Sequence, residues 1–290
     1  PSRDDFRISL AGAQEKTGFL WHEGAWHRPV GATPTTHIFK LPIGSVQGMD
    51  LGDSVENEWL CLRIAKELGF RVPEAEIATF EDTKALVVER FDRRFSDDGR
   101  YVRRLPQEDF CQALGVAPAR KYEVDGGPGI ADCMELLQQS LDPLADRSTF
   151  LRAALFYWLL GAIDGHAKNF SFFLYPGGRC KLTPLYDVLS AYPLVGSGEL
   201  ALQRLKMAMA VKGTSRHYRW DGIRARHWIS TAKHCRYPEA RVQAILDELG
   251  SAIPSAIDRV GASLPAGFPG DVAGPVLEKL ATASGKLASP

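Results

Sequence analysis

An aspartate and an asparagine that could take part in phosphoryl transfer stand five residues apart, directly after an apolar stretch. The segment reads Asp164-Gly165-His166-Ala167-Lys168-Asn169, and a second aspartate, Asp187, follows a predicted hairpin. In this layout one Asp accepts or orients the proton of an attacking hydroxyl, while the Asn and the other Asp hold Mg²⁺ against ATP phosphates. Mg²⁺ prefers such hard oxygen ligands. We therefore predict Asp164 as the base and Asn169 and Asp187 as metal ligands, although a polar loop with capping Asp and Asn would show the same spacing.

A loop of small residues near the start of the sequence could hold the phosphates. Residues 9–17 read SLAGAQEKT and lead into a predicted strand. Small side chains let backbone N–H groups approach phosphate oxygens. The Lys16-Thr17 pair resembles a Walker A loop, but the glycine before the lysine is missing and a strand follows, so we reject a P-loop NTPase. A simple hairpin turn is the alternative interpretation.

A lysine and a glutamate with the spacing of a nucleotide-binding ion pair come next. Lys40 ends an apolar strand, and Glu58 lies eighteen residues later on a predicted helix over residues 55–69. A lysine at this place can reach the nucleotide phosphates, and its usual partner is a glutamate on the following helix. Glu56 is the second candidate for that partner. Two solvated charges would be the alternative.

The strand over residues 85–91 predicts a connector between two lobes. Such a connector supplies backbone groups and apolar walls to an adenine ring, and we assign Glu89, Arg90 and Phe91 to it. The following residues, 92–94, could form only a charged turn.

The pattern of elements predicts a small β-rich lobe followed by a larger helical lobe. Strands are expected at residues 16–22, 37–41, 76–80 and 85–91. Helices are expected at 108–114, 130–137, 148–160, 228–235, 239–249 and 271–287, with a hairpin over 169–185. We place the lobes at residues 1–92 and 93–290, an α+β organisation.

Composition restricts the class of protein further. The 35 Lys+Arg residues balance 35 Asp+Glu residues, which argues against a protein that binds polyanions over its whole surface. No apolar run reaches the roughly 18 residues of a membrane helix. The five scattered cysteines lack CxxC spacing and favour reduced thiols over disulfides or zinc. We expect a cytoplasmic protein without membrane contact.

Seven stretches together resemble the HipA toxin kinases, which are serine/threonine kinases with a bilobal, protein-kinase-like fold. The stretches are long, keep their order and span nearly the whole chain. They are residues 9–17 (SLAGAQEKT), 33–42 (TPTTHIFKLP), 88–94 (VERFDRR), 105–112 (LPQEDFCQ), 121–130 (KYEVDGGPGI), 164–171 (DGHAKNFS) and 182–187 (LTPLYD).

The resemblance implies ATP and Mg²⁺ as cofactors, Asp164 as the catalytic base and Ser9 as an inhibitory autophosphorylation site. A phosphate on Ser9 would bring about two negative charges to the loop that must hold ATP. The implied ATP site consists of Ala11, Gly12, Ala13, Gln14, Glu15, Lys16, Lys40, Glu89, Arg90, Phe91, His166, Ala167, Lys168, Asn169, Tyr186 and Asp187.

The resemblance also implies macromolecular partners. The family's substrates are aminoacyl-tRNA synthetases, typically the glutamate enzyme, whose phosphorylation arrests growth. The usual partner is a helix-turn-helix antitoxin that binds operator DNA together with the kinase. Lys233 and Arg236 match DNA-contacting positions, although two cations are also what a solvated helix face presents.

Full-length members of the family carry a further small subdomain before the Ser9 loop. Only eight residues precede Ser9 here, so we expect either a fragment or a short-form kinase whose subdomain is a separate protein.

Two other functions stay open. A small-molecule kinase would share the phosphate chemistry, whereas a non-catalytic module that docks an antitoxin would not need the intact set of Lys40, Asp164, Asn169 and Asp187.

Overall fold

The computed structural model describes residues 14–287. Its first part is rich in strands and contains one long helix. In chain order the elements are β1 (Lys16–His22), β2 (Ala25–His27), β3 (His37–Lys40), β4 (Gly44–Val46), β5 (Met49–Leu51), α1 (Ser54–Glu67), β6 (Ala75–Phe80) and β7 (Thr83–Glu89).

Five of these strands form one antiparallel sheet in the order β2-β1-β3-β7-β6. The register pairs Lys16 with Lys40 and His37 with Glu89. The end of β3 therefore lies beside the start of β1, and the end of β7 lies beside the start of β3. This arrangement brings Lys16, at the end of the predicted phosphate loop, and Lys40 to one end of the sheet and the predicted connector to the other.

Helix α1 packs between this sheet and the C-terminal helices. Its apolar residues recur at helical spacing, and Leu60 and Ile64 are completely buried. Burying such a side chain stabilises a fold by roughly 1.5–3 kcal/mol. The hydrophobic core that includes α1 continues into the second part of the chain. The boundary between the two lobes at residues 92/93 stays a prediction.

The second part contains most of the helices, among short strands. Its elements are β8 (Arg93–Phe95), β9 (Val102–Arg104), β10 (Gln107–Asp109), α2 (Phe110–Ala113), α3 (Ile130–Leu136), α4 (Pro143–Leu160), β11 (Ser171–Tyr175), β12 (Arg179–Leu182), α5 (Tyr192–Gly196), β13 (Lys206–Lys212), β14 (Arg216–Arg219), α6 (Ala225–His234), α7 (Glu239–Ala262) and α8 (Gly270–Ser284).

Helix α4 forms the centre of this part and is buried along most of its length. It begins earlier than predicted because Asp142 caps it, accepting a hydrogen bond of 3.1 Å from the Ala145 N–H. Pro143 occupies the first helical position, where its missing N–H has no consequence. Arg152 interrupts the apolar stretch yet packs its guanidinium 4.1 Å from the centre of the Phe70 ring.

The predicted hairpin is confirmed as β11–β12, and β10 pairs with β11 on its other side. Its turn contains Gly177 and Gly178, both with positive φ. The prediction that α7 ends at residue 249 is wrong. The helix continues through Gly250 and Pro254 to Ala262, because the apolar spacing continues and buries further residues against the core.

None of the helices within residues 14–287 is long and apolar enough to cross a membrane. All five cysteines are buried with free thiols, in agreement with the predicted absence of disulfides.

Candidate functional site

The loop after α4 carries the predicted base. Helix α4 ends at Leu160 and is capped by Gly161, whose positive φ of 67° turns the chain out of the helix. The backbone carbonyl of Asp164 then accepts hydrogen bonds of 2.8 Å from the His166 N–H and from the side-chain amide of Asn169. Gly165 is required here, because a Cβ would lie 2.3 Å from the Tyr157 ring. The loop therefore ties Asp164 and Asn169 to each other.

The carboxylate of Asp164 is contacted by two side chains that come from different parts of the chain. The Tyr122 hydroxyl donates a hydrogen bond to Asp164 Oδ1, and His166 Nε2 lies 3.7 Å from the same oxygen. His166 is completely buried, and neither ring nitrogen has a hydrogen-bond partner among the described residues. Burial, together with the charge of Lys121, lowers the pKa of His166 to about 3, so its imidazole is neutral at pH 7.

A buried cluster of three charges joins distant segments at the predicted nucleotide site. Lys40 Nζ donates to Glu58 Oε1 at 2.6 Å and also to Asp187 Oδ1, which lies 147 residues further along the chain. Burial alone would lower the pKa of Lys40, but the carboxylates of Asp187 and Glu58 outweigh it and raise the pKa. Burial alone would raise the pKa of Asp187, but the charge of Lys40 lowers it. Lys40 and Asp187 are therefore both charged.

The choice between the two glutamates follows from this cluster. Glu58 contacts Lys40, whereas Glu56 lies 2.5 Å from Lys84. Glu58 is also almost completely buried, with 1% of its side chain exposed.

One cavity brings together five of the residues that were predicted separately. It is lined by Gln14, Lys16, Asp164, Asn169 and Asp187, among others. Gln14 donates a side-chain hydrogen bond of 3.0 Å to the Leu41 carbonyl, and Glu15 accepts one of 3.0 Å from the Leu41 N–H through its backbone. These bonds hold the start of β1 against the end of β3.

The residues present fit a magnesium ion that is shared with a nucleotide. Asp187 offers a carboxylate and Asn169 an amide oxygen, and both face the same cavity. No group of three or more His, Cys, Asp or Glu side chains within residues 14–287 could hold a metal ion. A set of only two oxygen ligands suits Mg²⁺, which usually takes one or two carboxylates and completes its shell with substrate phosphates and water.

The predicted connector continues from the end of β7 into a buried ion pair. Arg90 turns its guanidinium onto Asp92 with two hydrogen bonds of 3.0 and 2.9 Å, and Arg93 contacts the same carboxylate. Asp92 is therefore part of a folded link rather than only a charged turn. Beyond Arg90, the Phe91 ring lies 5.7 Å from the Tyr186 ring, which brings two predicted ATP-site residues together.

The remaining predicted residues are placed as follows. Ala167 is buried in the loop between Asp164 and Asn169, while Lys168 lies 2.9 Å from Asp109 in an ion pair. Lys233 on α6 and Arg236 just after it are exposed. The predicted positions Ser9, Ala11, Gly12 and Ala13 lie outside the described residues.

A larger cleft of about 690 Å³ also has Asp164 in its lining. Tyr122 and Ile163 line it near the carboxylate, and the β13–β14 hairpin lines the opposite wall, with Arg216 and Arg219. Neither Tyr122 nor this hairpin was predicted to have a role. The conspicuous KYEVDGGPG segment could have drawn attention to Tyr122, but nothing in it shows that Tyr122 reaches a carboxylate 42 residues away.

The chain is similar to known proteins in sequence and in fold. The model of the HipA-like C-terminal domain family matches residues 8–257. The chain is 44% identical over 194 residues to the protein named "Putative kinase Y4mE" of Sinorhizobium fredii, which covers 66% of this chain and 44% of that protein. It is 36% identical over 195 residues to the serine/threonine-protein kinase toxin HipA of Shewanella oneidensis, covering 63% and 43%.

A solved structure is similar over nearly the whole chain. It is the Shewanella oneidensis toxin–antitoxin complex of HipA, HipB and operator DNA, with a TM-score of 0.82 and 28% identity, covering 98% of this chain and 66% of that one. The α+β, bilobal kinase-like fold predicted from the sequence is confirmed. The chain spans less than half the length of the curated relatives that it matches.

Proposed function

Because this chain belongs to the HipA-like C-terminal domain family, we propose that it is an ATP-dependent serine/threonine protein kinase that acts as a bacterial toxin. One observation carries the proposal above all. Asp164 lines both the cavity that contains Lys16, Asn169 and Asp187 and the larger cleft beside the β13–β14 hairpin. A base that takes a proton from an acceptor hydroxyl must lie between the phosphate donor and the acceptor.

The proposed ATP site begins at the first cavity, which would hold Mg²⁺ and the terminal phosphates, and extends toward Lys40 and Phe91. Lys40, fixed by Glu58, would contact the phosphates with its charged amine. Asn169 and Asp187 would hold Mg²⁺, which supplies positive charge to the phosphate oxygens when it is bound. The paired Phe91 and Tyr186 rings would form an apolar wall for the adenine. Because the buried His166 is neutral, it places no positive charge beside the Asp164 carboxylate.

The larger cleft is the proposed site of the acceptor. A hydroxyl in it would approach the Asp164 carboxylate, which accepts or orients its proton. The relative named as a serine/threonine-protein kinase toxin favours a protein acceptor, and we propose an aminoacyl-tRNA synthetase, with glutamate–tRNA ligase first. Its phosphorylation would stop translation and arrest growth. A small-molecule kinase is the second candidate, because the cleft volume of about 690 Å³ also suits a small ligand.

We further propose an antitoxin of the helix-turn-helix class as partner. The solved complex of the Shewanella protein with HipB and operator DNA supports this partner. Lys233 and Arg236 are exposed and would be the first positions to test for DNA contact. Autophosphorylation of Ser9 would switch the kinase off by placing charge beside the phosphate loop.

The first test is the intact mass after incubation with Mg²⁺-ATP, with verified unphosphorylated wild type beside Asp164→Ala. We expect one phosphate on the wild type, mapped to Ser9, and none on the variant, while both proteins keep the same melting temperature. Radiolabelled ATP with a panel of purified synthetases then tests the acceptor. If no phosphate is transferred to the protein itself or to any synthetase, the proposed protein kinase activity is refuted.

A further inference from the structure

A three-residue segment, Lys121-Tyr122-Glu123, lies between the catalytic loop and the β13–β14 hairpin. On the side of the loop, the Tyr122 hydroxyl donates a hydrogen bond to the Asp164 carboxylate. The Tyr122 ring also packs edge-on against the buried His166 ring, with centroids 5.2 Å apart. Tyr122 therefore contacts both the proposed base and the residue that supports its loop.

On the side of the hairpin, Glu123 holds both strands. Its Oε2 accepts a hydrogen bond of 2.6 Å from the Ala210 N–H in β13, and its Oε1 lies 3.4 Å from Arg216 Nε in β14. Only 11% of the Glu123 side chain is exposed. A partly desolvated carboxylate with charge-assisted hydrogen bonds fixes geometry well, so the position of Tyr122 is tied to the far wall of the acceptor cleft.

Two glycines leave the segment little freedom to move. A Cβ on Gly127 would lie 2.2 Å from the Arg120 carbonyl oxygen and 2.8 Å from that of Tyr122. A Cβ on Gly129 would lie 2.6 Å from the Glu123 carboxyl carbon. The chain after Glu123 therefore folds back in close contact with the segment, which explains why glycines stand in the KYEVDGGPG motif.

We propose that Tyr122 is a positioning residue for the phosphoryl transfer, a role that rests on the proposed kinase function. Its hydroxyl holds one oxygen of Asp164 and so fixes the rotation of the carboxylate toward the acceptor cleft. A general base works only within hydrogen-bond reach of the proton that it accepts, and a misplacement of about 1 Å can reduce a rate about 100-fold. The nucleotide cavity, by contrast, does not include Tyr122 among the residues that line it.

The test is Tyr122→Phe, which removes the hydroxyl and keeps the ring against His166. Autophosphorylation is followed in single-turnover experiments over a range of Mg²⁺-ATP concentrations. We expect the maximal rate to fall about 10- to 100-fold, with the half-saturating ATP concentration unchanged. Tyr175→Phe is the matched control, because that hydroxyl is on an exposed residue of β11, and it should keep the wild-type rate.

Three results would overturn the role of Tyr122. The rate of Tyr122→Phe could stay within about twofold of wild type, it could fall together with ATP affinity, or it could fall only as far as a lowered melting temperature explains. Any of these beside an active wild type would leave the kinase proposal intact. A wild type that transfers no phosphate under the same conditions would instead remove both proposals.

Discussion

Replacing Lys40 by methionine should destabilise the protein more at pH 7.5 than at pH 5.5. The change removes the cation from a cluster in which Lys40 is 6% and Glu58 1% exposed, and it leaves Glu58 and Asp187 as two neighbouring carboxylates. Breaking a buried ion pair by removing one partner lowers the free energy of unfolding by about 3–5 kcal/mol. We expect a loss of this size at neutral pH.

The pH dependence follows from the two carboxyl groups. Burial raises the pKa of Glu58, and the charge of Lys40 opposes this increase. Without Lys40 the folded protein binds a proton on this pair more tightly than the unfolded chain does. Stability is then complete below the unfolded pKa of about 4.3 and falls as pH rises toward the folded-state pKa, by about 1.4 kcal/mol per pH unit and group. The loss caused by Lys40→Met should therefore be larger at pH 7.5 than at pH 5.5.

Urea unfolding at both pH values measures this difference. Lys66→Met is the control for the loss of a lysine, because the Lys66–Glu74 pair is 45% and 68% exposed and such pairs contribute about 0–1 kcal/mol. A loss for Lys40→Met that is the same at both pH values, or no larger than that of Lys66→Met, would refute the reasoning.

Two further predictions concern the segments beside the site. Gly127→Ala should lower the free energy of unfolding by about 3 kcal/mol, the upper end of overpacking, because its Cβ would strike the Arg120 carbonyl. Gly126→Ala has positive φ but open space around its Cβ and should lose only about 1 kcal/mol, so the reverse order in urea unfolding would contradict us. Asp92→Asn should lose about 1.5–3 kcal/mol at pH 7. Burial alone would raise the pKa of Asp92, but Arg90 and Arg93 lower it, so the stability that it contributes is lost as pH falls below about 4. A deficit of Asp92→Asn that is undiminished in urea unfolding at pH 3 would count against this account.

The parts of the fold that depend on local signals could be predicted from the sequence. The strand Lys16–His22 was predicted with its observed bounds, and the β11–β12 hairpin was visible from its Gly-Gly turn. The end of β7 was predicted two residues too late. Arg90 still donates its backbone N–H to the Thr36 carbonyl at 2.8 Å, while its guanidinium contacts Asp92 and Thr35.

Predictions were wrong where a local sequence signal is outweighed by the burial of apolar side chains. Gly250 and Pro254 resemble stop signals, since glycine and proline disfavour helix interiors by about 1 and 3 kcal/mol relative to alanine. Ile253, Ala256 and Val260 continue the apolar face and are completely buried, which outweighs this cost. The β13 strand, KMAMAVK, consists largely of residues that favour helices as much as strands, and its pairing with β14 was missed.

In the candidate site, too, the local structure could be predicted from the sequence and the long-range contacts could not. The Asp164–Asn169 loop is a local structure, and its residue types and spacing indicated it, although a polar loop with capping Asp and Asn would show the same spacing. Three contacts that assemble the site around this loop are not local: Lys40 to Asp187, Tyr122 to Asp164 and Glu123 to Ala210 span 147, 42 and 87 residues. A spacing pattern cannot contain such contacts, because their formation depends on how sheet, helices and hairpin pack together. The KYEVDGGPG motif then has a physical reason to accompany the Asp164–Asn169 loop. Its glycines allow the close packing, and this packing places Tyr122 at the Asp164 carboxylate and Glu123 at the hairpin across the cleft.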